Sequence, residues 1–89
     1  MENNKTSERI RWACRRGMLE LDLFLAPFFE KCYSSLSEAE KHNFSHLLTA
    51  TDPELLSWLM GHSEPENKEL LVIVDKIRQY RLMPKDPFL

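Results

Sequence analysis

Arg15-Arg16-Gly17-Met18-Leu19-Glu20-Leu21-Asp22 is the stretch on whose reading the fold turns. Two adjacent arginines, a glycine and two acids are interleaved there with apolar residues, a pattern that packing alone does not explain. A glycine inside a helix costs about 1 kcal/mol relative to alanine. Gly17 therefore marks either a helix junction or a place where another surface comes close to the backbone. If one helix runs through Gly17, then Arg9, Trp12, Arg16 and Glu20, spaced by three, four and four, share a face about 16 Å long. If two helices meet there, the same residues cluster around a corner, and their relative aim is not encoded in the spacing.

Upstream, residues 1–5 are polar and expected to fray. From about Ser7 the residues Ile10, Ala13, Cys14, Gly17 and Leu21 recur at intervals of three and four and form an apolar stripe. Downstream, Leu19 to Tyr33 is the most apolar segment and the expected central helix, with a kink or restart near Ala26 because Pro27 removes a backbone hydrogen bond. Ser34-Ser35-Leu36 reads as a linker. Ser37-Glu38-Ala39-Glu40 is a capping box that opens a helix from about Glu38 to Leu48, with Phe44, Leu47 and Leu48 inward.

Asp52-Pro53-Glu54 predicts the next helix start, with Asp52 as cap and proline at the first helical position, and Gly61 is a suitable stop. Ser63-Glu64-Pro65-Glu66 predicts a last helix opened by a second Ser-x-x-Glu box and running to about Leu82, after which Pro84 and Pro87 end the ordered structure. The expectation is an all-α fold, a small single-domain antiparallel bundle of about five helices with short connections and flexible tails at 1–5 and 84–89.

Eighty-nine residues make one domain of modest stability. Twelve basic against fourteen acidic residues give a net charge of -2, which excludes a general electrostatic footprint for nucleic acid. Arg9, Arg11, Arg15 and Arg16 nonetheless concentrate near the N-terminus, a local basic patch suited to an acidic partner surface or a phosphate. No apolar run approaches the roughly 18 residues of a membrane span, and no secretory h-region precedes the helices, so no membrane insertion and a cytoplasmic location are expected. Cys14 and Cys32 lack CxxC spacing and are expected as reduced thiols. His42 and His46 stand four apart, but neither a third ligand at helical spacing nor the glutamate of HExxH accompanies them, and metal binding is not expected. No Gly-rich phosphate loop or nucleophile-and-base arrangement can be assembled.

Arg16-Gly17-Met18-Leu19-Glu20 matches the Arg-Gly-x-x-Glu signature of the SdhE family, small bacterial assembly factors that flavinylate succinate dehydrogenase and fumarate reductase. The resemblance extends through Arg9-Ile10, Trp12-Ala13-Cys14-Arg15, Glu20-Leu21-Asp22, Pro27-Phe28-Phe29-Glu30, Leu36-Ser37, Asp52-Pro53, Leu55 and Trp58-Leu59-Met60, in order over nearly the whole chain. It implies a non-enzymatic chaperone, monomeric when free, that binds the flavoprotein subunit of succinate dehydrogenase and also that of fumarate reductase. FAD becomes attached to a histidine of that client and is not held stably by the chaperone. The resemblance further implies that Arg16, Gly17 and Glu20 engage the client, with Arg9, Trp12, Arg15 and Asp22 around them.

By spacing alone, Arg16 and Glu20 form a surface ion pair worth about 0.3–0.5 kcal/mol. Trp12 fits core and interface equally. Phe28 is expected in the core, with an aromatic face beside the motif as its other placement, and Phe28 and the Asp52-Pro53 turn are further candidate client contacts. Trp58 is expected to be structural, and Asp22 and Glu30 are expected as exposed helix charges. Exchanging Gly17 for a larger residue, or Glu20→Arg, is expected to impair the client and leave melting nearly unchanged. A flavin carrier and an antitoxin-like regulator of another partner are the alternative functions.

Overall fold

Leu21, Leu25, Phe28, Phe29 and Cys32 recur at helical intervals, and in the computed structural model they line the inward side of the longest apolar helix. The structure describes residues 4–82, with side chains for 7–81. Five α-helices succeed one another: α1 (Asn4–Ala13), α2 (Leu19–Cys32), α3 (Glu38–Leu47), α4 (Asp52–Leu59) and α5 (Lys68–Leu82), with a short 3-10 turn at Tyr33–Ser35. No strand occurs among the described residues, so the fold is the expected all-α bundle.

The core is apolar throughout, and its buried members include Ile10 and Cys14 of the α1 end, Leu21, Leu25, Phe28 and Phe29 of α2, Phe44 and Leu47 of α3, Leu55 and Leu59 of α4, and Ile73, Val74 and Ile77 of α5. The C-terminal helix packs against α2, α3 and α4, and α2 also meets α4. Phe28, Phe29, Tyr33 and Phe44 form an aromatic cluster, with Phe29 and Tyr33 ring centroids 4.9 Å apart and Phe28 and Phe44 5.6 Å apart. Tilted rings at such distances add about 0.5–1.5 kcal/mol per pair beyond their buried area.

The capping box at Ser37 is present in full. Glu40 N–H donates to Ser37 Oγ and Ser37 N–H donates to Glu40 Oε1 at 2.9 Å. Three other local expectations require correction. The cap of α4 is Thr51, whose side chain and that of Glu54 form a second capping box, so Asp52 is the first helical residue and Pro53 the second. Ser63 does not open the last helix, because its hydroxyl meets Ser57 Oγ at 2.6 Å. Asn67 caps α5 instead, its Oδ1 accepting from the amides of Glu69 and Leu70. Finally, α2 does not restart near Ala26 but runs through Pro27. Proline deprives the carbonyl four residues earlier of its donor, and that residue, Leu23, is exposed.

The end of α4 shows why Gly61 is a stop. His62 N–H donates to Ser57 O at 2.8 Å and Gly61 N–H to Trp58 O at 3.1 Å, with Gly61 at φ +81. This is the Schellman pairing, which places its glycine in the left-handed region and satisfies carbonyls the helix would leave unpaired. Pro84 and Pro87 lie outside the described residues.

Candidate docking surface

Gly17 sits between α1 and α2, so the two helices meet at a corner. It has φ +78, a conformation that an L side chain adopts only with strain, and among the described residues none beyond its two chain neighbours has an atom within 4 Å of the position a Cβ would occupy. The glycine is therefore required by the backbone, and the space above it is open. The expectation that a larger residue leaves stability unchanged is corrected accordingly.

Arg16 is only 16% exposed at its side chain. Its Nε donates to Asp52 Oδ1 at 2.8 Å, Nη1 to Leu48 O at 2.8 Å and Ala13 O at 3.2 Å, and Nη2 to Ala50 O at 2.7 Å. Its charge thus pairs with Asp52 across the molecule and not with Glu20 one turn away. The Arg16 amide donates to Asp22 Oδ1 at 3.0 Å, so Asp22 closes the loop that it follows instead of standing free as a helix charge.

The other side chains of the group face outward. Trp12 is 69% exposed, and the Arg15 guanidinium lies 5.3 Å from its ring centroid, which fixes one face of the indole by a cation–π contact. Arg9, Arg15, Gly17 and Glu20 are exposed. Leu19 and Leu23, one turn apart on α2, are also exposed, and the sequence reading did not single them out. The signal was available: they stand two positions away from Leu21 and Leu25, which places them on the opposite side of the helix. Phe28 is 2% exposed and belongs to the core, so it offers no face to a partner. Trp58 is half-buried against the core, as its structural reading required.

Beside the corner, Arg11 pairs with Glu30 and lies 5.1 Å from the Phe29 ring centroid, joining α1 to α2. A cleft of about 70 Å³ is lined there by Arg11, Cys14, Arg15, Ala26, Phe29 and Glu30. Small-molecule sites span roughly 300–1,000 Å³, so this cleft is too small to enclose a flavin. Burial pushes the Cys14 thiol up to about 12, which keeps it a protonated small hydrophobe. Cys14 and Cys32 are not joined in a disulfide. Among the described residues no three His, Cys, Asp or Glu side chains converge on a metal position. None of their helices is long and apolar enough to cross a membrane.

Trp and Arg, the residue types exposed around the glycine corner, are enriched in protein-binding hot spots. The family model described as flavinator of succinate dehydrogenase matches residues 8–81. The chain belongs to this family. The FAD assembly factor SdhE of Vibrio cholerae is 54% identical over 74 residues, covering 83% of this chain and 86% of its own. The FAD assembly factor SdhE of Vibrio vulnificus is 50% identical over 82 residues, covering 92% and 95%, and that of Yersinia pestis is 52% identical over 79 residues, covering 89% of each chain. The solution structure of a UPF0350 protein, 50% identical, superposes with a TM-score of 0.77 over 92% of this chain and 87% of its own. The corner from Arg9 to Asp22 lies wholly inside the span that the family model matches.

Proposed function

We propose that the protein is an assembly chaperone that promotes covalent attachment of FAD to the flavoprotein subunit of succinate dehydrogenase, and to that of fumarate reductase, in the cytoplasm. It docks through the corner formed by Trp12, Arg15, Gly17 and Glu20, with Arg9 on the α1 side and Leu19 on the α2 side. Arg16 belongs to the same unit but holds it from within, as does Asp22. The observation that supports this reading most directly is the exposure of an aromatic and basic corner inside the span shared with the FAD assembly factors.

The chemistry assigned to this chain is orientation. FAD and the histidine of the client supply the atoms that form the bond, and the chaperone, a monomer when free, holds the client in the conformation that brings them together. Gly17 leaves room for a client backbone or side chain at the corner, Trp12 offers a large rigid apolar face, and Arg9 and Arg15 offer donors for client carboxylates. A group on the protein able to act as nucleophile or general base is not required.

The test incubates the purified flavoprotein subunit with FAD, with and without the protein, and measures covalent flavin in the denatured subunit. Covalent flavin is expected to rise with added protein. Trp12→Ala and Glu20→Arg are expected to reduce that rise at least tenfold, the scale of a hot-spot residue, while shifting stability by no more than about 0.5 kcal/mol because both side chains are exposed. Full covalent flavin without the protein would refute the function, and full activity of both variants would refute the surface. Flavin absorbance retained by the isolated protein would instead favour a carrier.

A further inference from the structure

Arg16 is the first residue of the signature by sequence, yet its guanidinium faces into the molecule. Four of its contacts go to protein acceptors, and they belong to three helix ends. Ala13 is the last residue of α1, Leu48 is the C-cap of α3 with Ala50 just beyond it, and Asp52 is the first residue of α4. Helix C-termini carry partial negative charge, so the cation is placed where two of them converge and next to a carboxylate. The five donors of a guanidinium are arranged as a rigid planar fork, and four donor–acceptor contacts use Nε and both Nη atoms. Lysine cannot reproduce that set from a single nitrogen.

Two consequences follow for the corner. The residue immediately after Arg16 is the left-handed Gly17, so the anchored side chain adjoins the turn that separates Trp12 from Glu20. The α3–α4 turn, 32 to 36 residues away in sequence, becomes part of the same mechanical unit. Asp22 anchors the other side of the junction through the Arg16 amide.

We infer that Arg16 and Asp52 are positioning residues for client recognition: Arg16 does not touch the client but ties the docking corner to the α3–α4 turn, and Asp52 sets the corner from outside it. The inference rests on the proposed docking role, and its first readout needs no client.

In the free protein, Asp52→Ala is expected to shift the backbone amide resonances of Gly17 and Glu20 while the chain remains cooperatively folded. In the flavinylation assay with the flavoprotein subunit, the concentration of folded protein giving half-maximal covalent flavin is expected to rise about tenfold, the loss typical of one hydrogen bond to a charged group. The plateau at saturating protein is retained, because the client-facing side chains are intact. Asp52→Asn keeps an acceptor for Arg16 Nε and recovers part of the loss. Arg16→Lys loses more than Asp52→Ala, and adding Asp52→Ala to Arg16→Lys costs little further, since the two act as one unit.

A merely structural role would lower the folded fraction without changing the half-maximal concentration of the folded protein. Unshifted Gly17 and Glu20 resonances would overturn the inference whatever the assay shows. So would an unchanged half-maximal concentration for Asp52→Ala, or fully additive losses that place Arg16 on the client itself. Covalent flavin that is independent of the wild-type protein, by contrast, refutes the docking role on which the inference rests.

Discussion

Gly17 and Gly61 have nearly the same backbone, φ +78 and +81, and different surroundings. A Cβ at Gly17 meets nothing within 4 Å, whereas one at Gly61 comes within 3.1 Å of Arg78 Nη2, the end of a flexible side chain that can move aside. The strain of a left-handed L residue, about 1 kcal/mol, is thus common to both. Gly17→Ala and Gly61→Ala are each expected to lower the thermal midpoint by roughly 4–8 °C, the shift that 1 kcal/mol produces in a domain of this size. Only Gly17→Ala is expected to reduce client flavinylation per folded molecule, because its methyl enters the open corner. Melting curves and the flavinylation assay, read on the same preparations, check both halves. Equal flavinylation by the two variants would mean that the space above Gly17 is not used.

The helix starts show what local sequence encodes and where it misleads. Ser37 and Glu40 lie three residues apart and satisfy each other, so their box was readable without tertiary information. Asp52 was equally eligible as a cap by residue type, but its carboxylate is taken by Arg16 and the cap falls to Thr51. Ser63 had the right spacing to Glu66, yet the Schellman turn at Gly61 brings it back to Ser57, and the chain crosses three more residues before Asn67 caps α5.

The Ser37 box also carries a pH dependence. The Ser37 amide, and after it Lys76, which pairs with Glu40 at 3.2 Å, hold the Glu40 carboxyl below its ordinary 4.5. A folded-state value below the unfolded one gives stability that is complete above 4.5 and is lost as the pH falls through the lower folded value. Glu40→Gln is therefore expected to flatten the acid limb of the melting-temperature profile relative to wild type. Ser37→Ala is expected to cost about 1 kcal/mol at neutral pH. A wild-type acid limb in Glu40→Gln would remove this carboxyl from the account.

At the scale of the whole molecule, the α1 end contributes Ile10 and Cys14 to a core otherwise built by α2 to α5. Burial pushes the Cys14 thiol from 9.0 up to about 12, with Arg16 and Arg11 opposing the shift. Here the sign is reversed. A folded value above the unfolded one gives stability that is complete below pH 9 and is lost as the pH rises through the folded value. Stability measured at alkaline pH should fall less steeply in Cys14→Ala than in wild type, by up to about 1.4 kcal/mol per pH unit, the linkage of one proton. Identical slopes would show that Cys14 ionises no more readily in the unfolded chain. Thiol reagents at neutral pH are expected to modify half-buried Cys32 well before Cys14.

The helical class, the number of helices, the Ser37 cap, the Gly61 stop and the inward places of Cys14 and Phe44 were determined by sequence alone. Each depends on spacing within one helix or on a cap that closes within a few residues. The family resemblance was likewise carried by residues in chain order. Only the tertiary structure decided that Gly17 is a corner, that Trp12 faces outward, and that Arg16 and Asp22 are turned inward. The inward place of the Arg16 guanidinium depends on acceptors 32 to 36 residues away, at the C-terminal end of α3 and the start of α4. A helical repeat describes which residues share a face of one helix. It cannot say which carbonyls another helix will bring to meet a guanidinium.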